Sequence, residues 1–432
     1  MEEKRKNTKK KKWIRKRHMV IRNIAAVLMG PHLRRKYNID VQPYTEDDGR
    51  PCLILFNHQT PSDQFFVGLS FKKPIYYVAS EDIFSNGWIS SVLRYAVAPI
   101  PIKKNTGDAR AVLTCMRVAA EGGTIAMAPE GNRTYSGRTG TMNASIVPFI
   151  RRMKLPVLLY RIEGGYGTEP RWSDKIRKGS MKSFVVRRIE REEYSEMTKD
   201  ELLAAIKEGL YVDENVTGGT FKSRRSAEYM ERALYVCPNC GFSKLESNKN
   251  TIKCLKCGRS AEYLSDKTFR APDNGEKGFP FGNFGEWYDF QNSFVSALDP
   301  DEYIDEPAFT DIADLYSVAL YKKKKRLEKR TSVSLYGNRV EILRGRDHEG
   351  ILFTDISTVT VLGRNKLNIY TGDKVYQLKG GKRFCALKYV NFYYHALNVS
   401  RQRSITGTEQ AADIQDRNTI NAGDDNGEFL GL

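Results

Sequence analysis

The sequence predicts an α/β fold: a domain with a largely parallel sheet flanked by helices, then a small cysteine ribbon and a β-rich domain with a C-terminal helix. Three observations predict it. Short apolar runs alternate with amphipathic segments through residues 51–163, the pattern of strand and helix in turn. Two Cys-x-x-Cys pairs stand thirteen residues apart at 237–257. Six strand-like segments crowd into 331–379 and are followed by apolar residues at helical spacing.

In chain order, residues 1–36 form a basic segment. Within it, Trp13, Ile14, Val20, Ile21, Ile24, Val27 and Leu28 recur at helical spacing, with Arg15, Lys16 and Arg22 between them. Such a basic amphipathic helix suits an anionic membrane surface. In the α/β domain, 37–212, buried strands are expected at Cys52–Phe56, Pro74–Val78, Ile100–Ile102, Thr124–Ala128 and Val157–Ile162. Helices are expected at Ser62–Leu69, Ile83–Tyr95, Asp108–Glu121 and 198–211; in the last, Leu202, Leu203, Ile206 and Leu210 share a face. The ribbon occupies 235–264. Residues 265–330 read as a linker, Gly-, Pro- and Phe-rich at first, with a helical segment carrying Trp287, Phe290 and Phe294. Residues 331–402 resemble a pleckstrin-homology-like or GRAM-like module by pattern. Residues 403–432 are polar and read as a disordered tail.

Composition narrows the class of protein. At 432 residues, 40% hydrophobic and 11% aromatic, the chain can bury real cores. The net charge is +18, and residues 1–36 carry +12 of it, with 14 Lys or Arg against two Glu. The excess charge is therefore local and marks that segment, not the body, as the part that meets an anionic partner. No run approaches the roughly 20 apolar residues that span a bilayer. Seven cysteines, four of them in Cys-x-x-Cys pairs, point to metal ligation in a reducing compartment and not to a disulfide framework. A cytoplasmic protein, peripheral on the inner face of the membrane, is expected.

The chemistry collects where two strands end. The first strand runs into Asn57-His58-Gln59-Thr60-Pro61-Ser62-Asp63. Taken singly, Thr60, Pro61 and Asp63 fit a helix start. Taken together, His58 at the carboxyl end of a parallel strand and Asp63 one turn into the next helix form a base and its orienting carboxylate. A pair without an adjacent nucleophile suits transfer from an already activated donor. A second strand ends in Pro129-Glu130-Gly131-Asn132-Arg133, where glycine permits close backbone approach and arginine can grip a phosphate with two bonds.

His58-x-x-x-x-Asp63 followed by Pro129-Glu130-Gly131-Asn132-Arg133 resembles the glycerol-phosphate and lysophosphatidate acyltransferase family, over about residues 37–212. The resemblance implies His58 as catalytic base, Asp63 as its partner, and Glu130, Gly131 and Arg133 in recognising the acceptor or its phosphate. It also implies an acyl-CoA or acyl carrier protein thioester as co-substrate and a lysophospholipid as acceptor. Two departures stand out. The family's second block has a glycine and, six residues on, an arginine; here they are Ala98 and Lys104, and lysine lacks the guanidinium fork. The fourth block, Pro156-Val157-Leu158-Leu159-Tyr160, lacks the usual second proline.

Cys237, Cys240, Cys254 and Cys257, each pair followed by glycine, read as a structural Zn2+ site with all four positions filled by thiolates. Cys52, Cys115 and Cys385 sit in apolar contexts and read as core residues. The rival class is a zinc-ribbon nucleic-acid-binding protein. The span between the two pairs is not strongly basic and has no aromatic-interleaved basic stripe, so no nucleic-acid partner is expected. An acyltransferase acting on a different lysolipid, or an inactive lipid-binding relative, completes the alternatives.

Overall fold

In a computed structural model the chain is described at residues 12–80, 83–84, 88–102, 108–271, 279–318, 324–372 and 374–412. It divides into two compact units: residues 1–133, 142–163 and 180–212 form the first, and 134–141, 164–179 and 213–432 the second.

The first unit opens with α1 (Lys16–Tyr37), the strand β1 (Ile39–Val41) and then β2 (Leu53–Phe56), whose four side chains are all buried. A strand with no exposed face belongs at the centre of a sheet covered on both sides. The chain continues through α2 (Asp63–Ser70), β3 (Ile75–Ser80), α3 (Trp88–Ala96), β4 (Ile100–Ile102), α4 (Ala109–Ala120) and β5 (Thr124–Met127). After α5 (Ile146–Met153) and β6 (Val157–Glu163) it enters the second unit, where it makes the one-turn helix α6 (Gly165–Thr168). It returns as β7 (Met181–Ile189), α7 (Arg191–Glu196) and α8 (Lys199–Leu210).

The seven strands lie in the order β1-β7-β6-β2-β5-β3-β4. Strands β6, β2, β5, β3 and β4 run parallel, β7 turns back antiparallel to β6, and β1 follows β7 in parallel. The sheet is largely parallel, as the alternation predicts. The reversed strand β7 had no place in the sequence reading. Its MKSFVVRRI buries only its ends and the Ser183 position, so its apolar signal is weak. The core joins Leu53, Leu55, Ile125, Val157 and Leu159 to Ile146 and Ile150 of α5 and to Leu202, Ile206 and Leu210 of α8. Each fully buried aliphatic contributes about 1.5–3 kcal/mol. Helix α8 starts where it does because Thr198 and Glu201 cap reciprocally: Thr198 Oγ1 accepts Glu201 N–H at 3.2 Å, and Glu201 Oε2 accepts Thr198 N–H at 2.7 Å.

In the second unit, β8 (Val236–Cys237) pairs with β9 (Gly241–Phe242), and β10 (Leu245–Asn248), β11 (Thr251–Cys254), β12 (Ser260–Tyr263) and β13 (Phe269–Arg270) form a four-stranded sheet. Helix α9 (Phe284–Ser296) follows. Then β14 (Phe309–Val318), β15 (Lys325–Leu335), β16 (Arg339–Arg344), β17 (Asp347–Leu352), β18 (Thr358–Leu362), β19 (Lys366–Thr371) and β20 (Lys374–Gly380) build an antiparallel sheet, and α10 (Leu387–Ala412) closes the chain. The β-rich region thus begins at Phe309, inside the segment read as linker; β14 buries only Ala313 and Leu315, too few to mark it as a strand. The polar stretch read as tail from 403 continues α10 to Ala412, and residues 413–432 lie outside the described residues.

One hydrophobic core runs through this unit. Phe242 of the ribbon packs on Phe309 at 4.5 Å and on Phe294 at 5.3 Å between ring centroids. Gln291 of α9, fully buried, accepts the Tyr235 N–H at 2.7 Å and donates to Ala233 O at 3.0 Å. Those two bonds pin the helix to the start of the ribbon.

Candidate active site

The β2–α2 junction is built by its own short-range chemistry. Asn57, next after β2, donates Nδ2–H to Ile162 O at 2.8 Å and accepts Ile162 N–H at 2.7 Å. A side chain thus extends the β2–β6 ladder by one rung and fixes where His58 begins. Asn57 went unnoticed in the sequence; its one signal is a polar amide directly after a fully buried strand.

Asp63, with no exposed surface, gathers the turn around its carboxylate. Oδ2 accepts Gln59 N–H at 2.7 Å, both oxygens accept Thr60 N–H at 3.0 Å, and Oδ1 accepts Thr60 Oγ1–H at 2.6 Å. Oδ2 also lies 2.7 Å from His58 Nδ1. The helix-start role and the orienting role therefore coexist in one residue: the bonds that wind the turn also hold the carboxylate under the imidazole. With Nδ1–H given to Asp63, Nε2 is the nitrogen that accepts a proton. The His58 side chain keeps 25% of its surface exposed, so the ring is reachable.

Glu130, buried after β5, accepts the His58 backbone N–H through Oε1 at 2.7 Å. Residues 72 positions apart are thereby joined at neighbouring strand ends. Gly131 turns with φ +66°, a left-handed conformation that favours glycine, and its N–H reaches Ala128 O at 3.1 Å. Arg133, two residues on, is half-buried. Behind the site, Tyr160 of β6 holds α2 through Ser70 Oγ at 2.7 Å and Phe66 O at 3.3 Å. Burial pushes its phenol up to about 12, against the opposing hydrogen bonds of Ser183 and Ser70.

Residues 33–162, which hold this junction, match the family model described as Acyltransferase. This segment is similar to the acyltransferase family. Over 136 residues the chain is 23% identical to the 1-acyl-sn-glycerol-3-phosphate acyltransferase of Bacillus subtilis (strain 168), covering 32% of this chain and 65% of that protein. Among solved structures, the 1-acyl-sn-glycerophosphate (LPA) acyltransferase PlsC from Thermotoga maritima is similar at 17% identity and TM-score 0.34, covering 44% of this chain and 90% of its own. The N-terminal PH domain of human ARAP2 is similar at 16% identity and TM-score 0.17, covering 27% of this chain and 93% of its own.

Within the segment matched by that model, Ala98 adopts φ +42°, the left-handed region that costs an alanine strain. A glycine at this position would adopt the same conformation without that strain. Ala98 O also accepts the Trp13 indole N–H at 3.0 Å. Lys104 lies outside the described residues.

In the second unit the sulfurs of Cys237, Cys240, Cys254 and Cys257 all lie within 4.8 Å of one another, close enough to hold one metal ion. A tetrahedral zinc–thiolate shell has sulfurs roughly 3.8 Å apart, from bonds of about 2.3 Å; Cys237 Sγ and Cys257 Sγ stand at 3.6 Å. Gly241 and Gly258, at φ +67° and +78°, make the turns after each pair. The Asn239 N–H points at Cys237 Sγ from 3.4 Å. Burial works to raise the Cys257 thiol, but the Arg259 backbone N–H and hydrogen bonds with Cys240, Cys237 and Cys254 lower it to about 6. The donor set suits a soft, closed site. Cys52, Cys115 and Cys385 are buried elsewhere, and burial pushes their thiols up to about 11, 12 and 12.

Proposed function

We propose that this protein is a membrane-peripheral 1-acylglycerol-3-phosphate (lysophosphatidate) O-acyltransferase. It moves an acyl chain from a coenzyme A or acyl carrier protein thioester to a glycerolipid hydroxyl. The observation that carries this reading is the 2.7 Å His58–Asp63 pair at the carboxyl end of β2, within the segment similar to the acyltransferase family.

The acceptor hydroxyl attacks the thioester carbonyl carbon as His58 Nε2 takes its proton, and Asp63 stabilises the imidazolium that forms. The tetrahedral intermediate then collapses with cleavage of the C–S bond. The leaving thiolate recovers the proton from Nε2, so ester and thiol are the products and no covalent enzyme intermediate is needed. Glu130 acts as a positioning residue by holding the His58 peptide. Gly131, Arg133 and Lys104 are assigned to the acceptor's phosphate, a role favoured by the name of the Bacillus relative. Residues 1–36 attach the protein to an anionic membrane surface. The four cysteines hold a structural Zn2+, which contributes folding energy and no catalytic position.

The test is product analysis of the purified full-length protein with labelled acyl thioesters and a panel of lysolipids. Diacylglycerol phosphate formed from a lysophosphatidate acceptor supports the proposal. Transfer only to another lysolipid would replace the acceptor, and no transfer to any would remove the activity.

A further inference from the structure

Helices of the first unit fall into two opposite kinds. Helix α8 does what a surface helix in water does, burying Leu202, Ile206 and Leu210. Helix α1 does the reverse: over its first four turns the buried positions are His18 and Gly30, while Val20, Ile24, Val27 and Leu28 face outward. Val27 and Leu28 are 72% and 71% exposed. Helix α3 is turned out further still. Its single buried residue is Ser90, which donates to Ile83 O at 2.7 Å. Trp88, 76% exposed, shares an outer stripe with Val92 and Tyr95 at helical spacing.

The two inverted helices adjoin. Arg17 of α1 donates Nε–H to Tyr95 O at 3.0 Å and lies 4.1 Å over the Tyr95 ring. Neither helix contains Asp or Glu, and Lys16, Arg17 and Arg94 sit beside the exposed apolar groups, while Arg22 turns inward to the Phe71 carbonyl. At its other end α1 lies against α2: a Cβ on Gly30 would meet Leu69 at 3.2 Å, and Tyr37 Oη is 2.8 Å from Ser62 Oγ, next to Asp63.

We propose that α1 and α3 together form one bilayer-seating surface, in which the Trp88, Val92 and Tyr95 stripe of α3 inserts between the lipids of an anionic leaflet. This rests on the peripheral-membrane reading above and extends it beyond residues 1–36. Exposed apolar side chains gathered on adjoining helices mark an interaction site. Its chemistry selects the occupant. A second copy in a two-fold contact would set these arginines and lysines against their own equivalents, whereas anionic headgroups pair with them while acyl chains take the aliphatic and aromatic stripes. Through Tyr37 and Ser62 the seated surface is braced against the helix that carries Asp63.

Hydrogen–deuterium exchange of the wild-type full-length chain, with and without vesicles of phosphatidylcholine and phosphatidylglycerol, tests this directly. Vesicles should slow exchange in residues 88–97 as well as in 16–37. The double variant Trp88→Ser, Val92→Ser should lower the vesicle partition coefficient by about tenfold to a hundredfold. Val216→Ser, which removes an exposed apolar side chain of the second unit, should leave it unchanged. Protection of 16–37 with none at 88–97 would overturn the proposal. So would wild-type partitioning by the double variant, or lipid-free dimerisation that protects 88–97. None of these readouts involves turnover, so a failure of acyl transfer is scored separately.

Discussion

The His58 junction and the cysteine cluster are both made by turns at strand ends, yet they are finished differently. At the junction a buried carboxylate holds one imidazole that stays a quarter exposed, while an amide bridge and a second carboxylate fix the backbone on either side of it. In the cluster four sulfurs face one another and leave no position for a substrate. The first arrangement spends its hydrogen bonds on aiming a reactive group; the second closes upon itself to hold chain segments together. Perturbing one should therefore change rates, and perturbing the other should change folding.

The largest effect is expected from the cluster. Cys254→Ser with Cys257→Ser should reduce bound zinc from one per chain to none and forfeit roughly 10 kcal/mol of metal-coupled folding energy. Elemental analysis and thermal melts check this; unchanged zinc would contradict the assignment. On the other side of the comparison, Arg133→Ala should lose about 2–4 kcal/mol of transition-state stabilisation with a phosphorylated acceptor and much less with a neutral one. Equal losses on both acceptors would make Arg133 a loop residue. Neither change should produce the other's signature.

A smaller effect concerns His18, where α1 joins the first unit. Its Nδ1 lies 3.0 Å from Tyr76 Oη, and burial, then Arg17 and Arg15, hold its pKa below the ordinary 6.5. Burial likewise pushes the facing Tyr76 phenol up to about 12, so it stays neutral. Glu121 nearby accepts the Ile14 N–H at 2.9 Å and is paired with Arg117. A lowered histidine pKa means the folded state prefers the neutral ring. That stability is present above the unfolded pKa near 6.5 and is lost as pH falls through the folded value. Protection factors of the α1 amides, referenced to the intrinsic exchange rate at each pH, should thus fall on acidification, and His18→Asn should flatten the profile. A fall that persists in the variant would assign the effect to another group. Smallest of all, Ala98→Gly should relieve the left-handed strain and stabilise the protein by about 1 kcal/mol. An unchanged or lower melting temperature would show that the turn tolerates its alanine.

Local order was legible in the sequence; order between distant segments was not. His58 and Asp63 are five residues apart, so one strand end and one helix start suffice to pair them. The cysteine pairs carry their spacing and their glycines with them. Glu130 could be singled out as a site residue by resemblance, but its bond to the His58 peptide depends on β2 and β5 being neighbours, which no local pattern states. Strand β7 escaped notice because its exposed face is rich in arginine and lysine, and β14 because it buries two small or medium side chains. The ribbon, α9 and the long sheet read as separate modules, yet Phe242 and Gln291 tie them into one core through contacts 50 or more residues apart. The outward turn of α3 was hidden for a different reason: helical spacing reveals a stripe, not which way it faces.

The most direct test of the central claim is single-turnover acyl transfer by the full-length protein and its His58→Ala variant, with zinc content and melting temperature measured on the same samples. Loss of the base should lower the rate by about 10²–10⁴ while zinc and melting temperature stay at wild-type values. Transfer at a near-normal rate by the folded, zinc-replete variant would contradict the assignment of His58 as the general base.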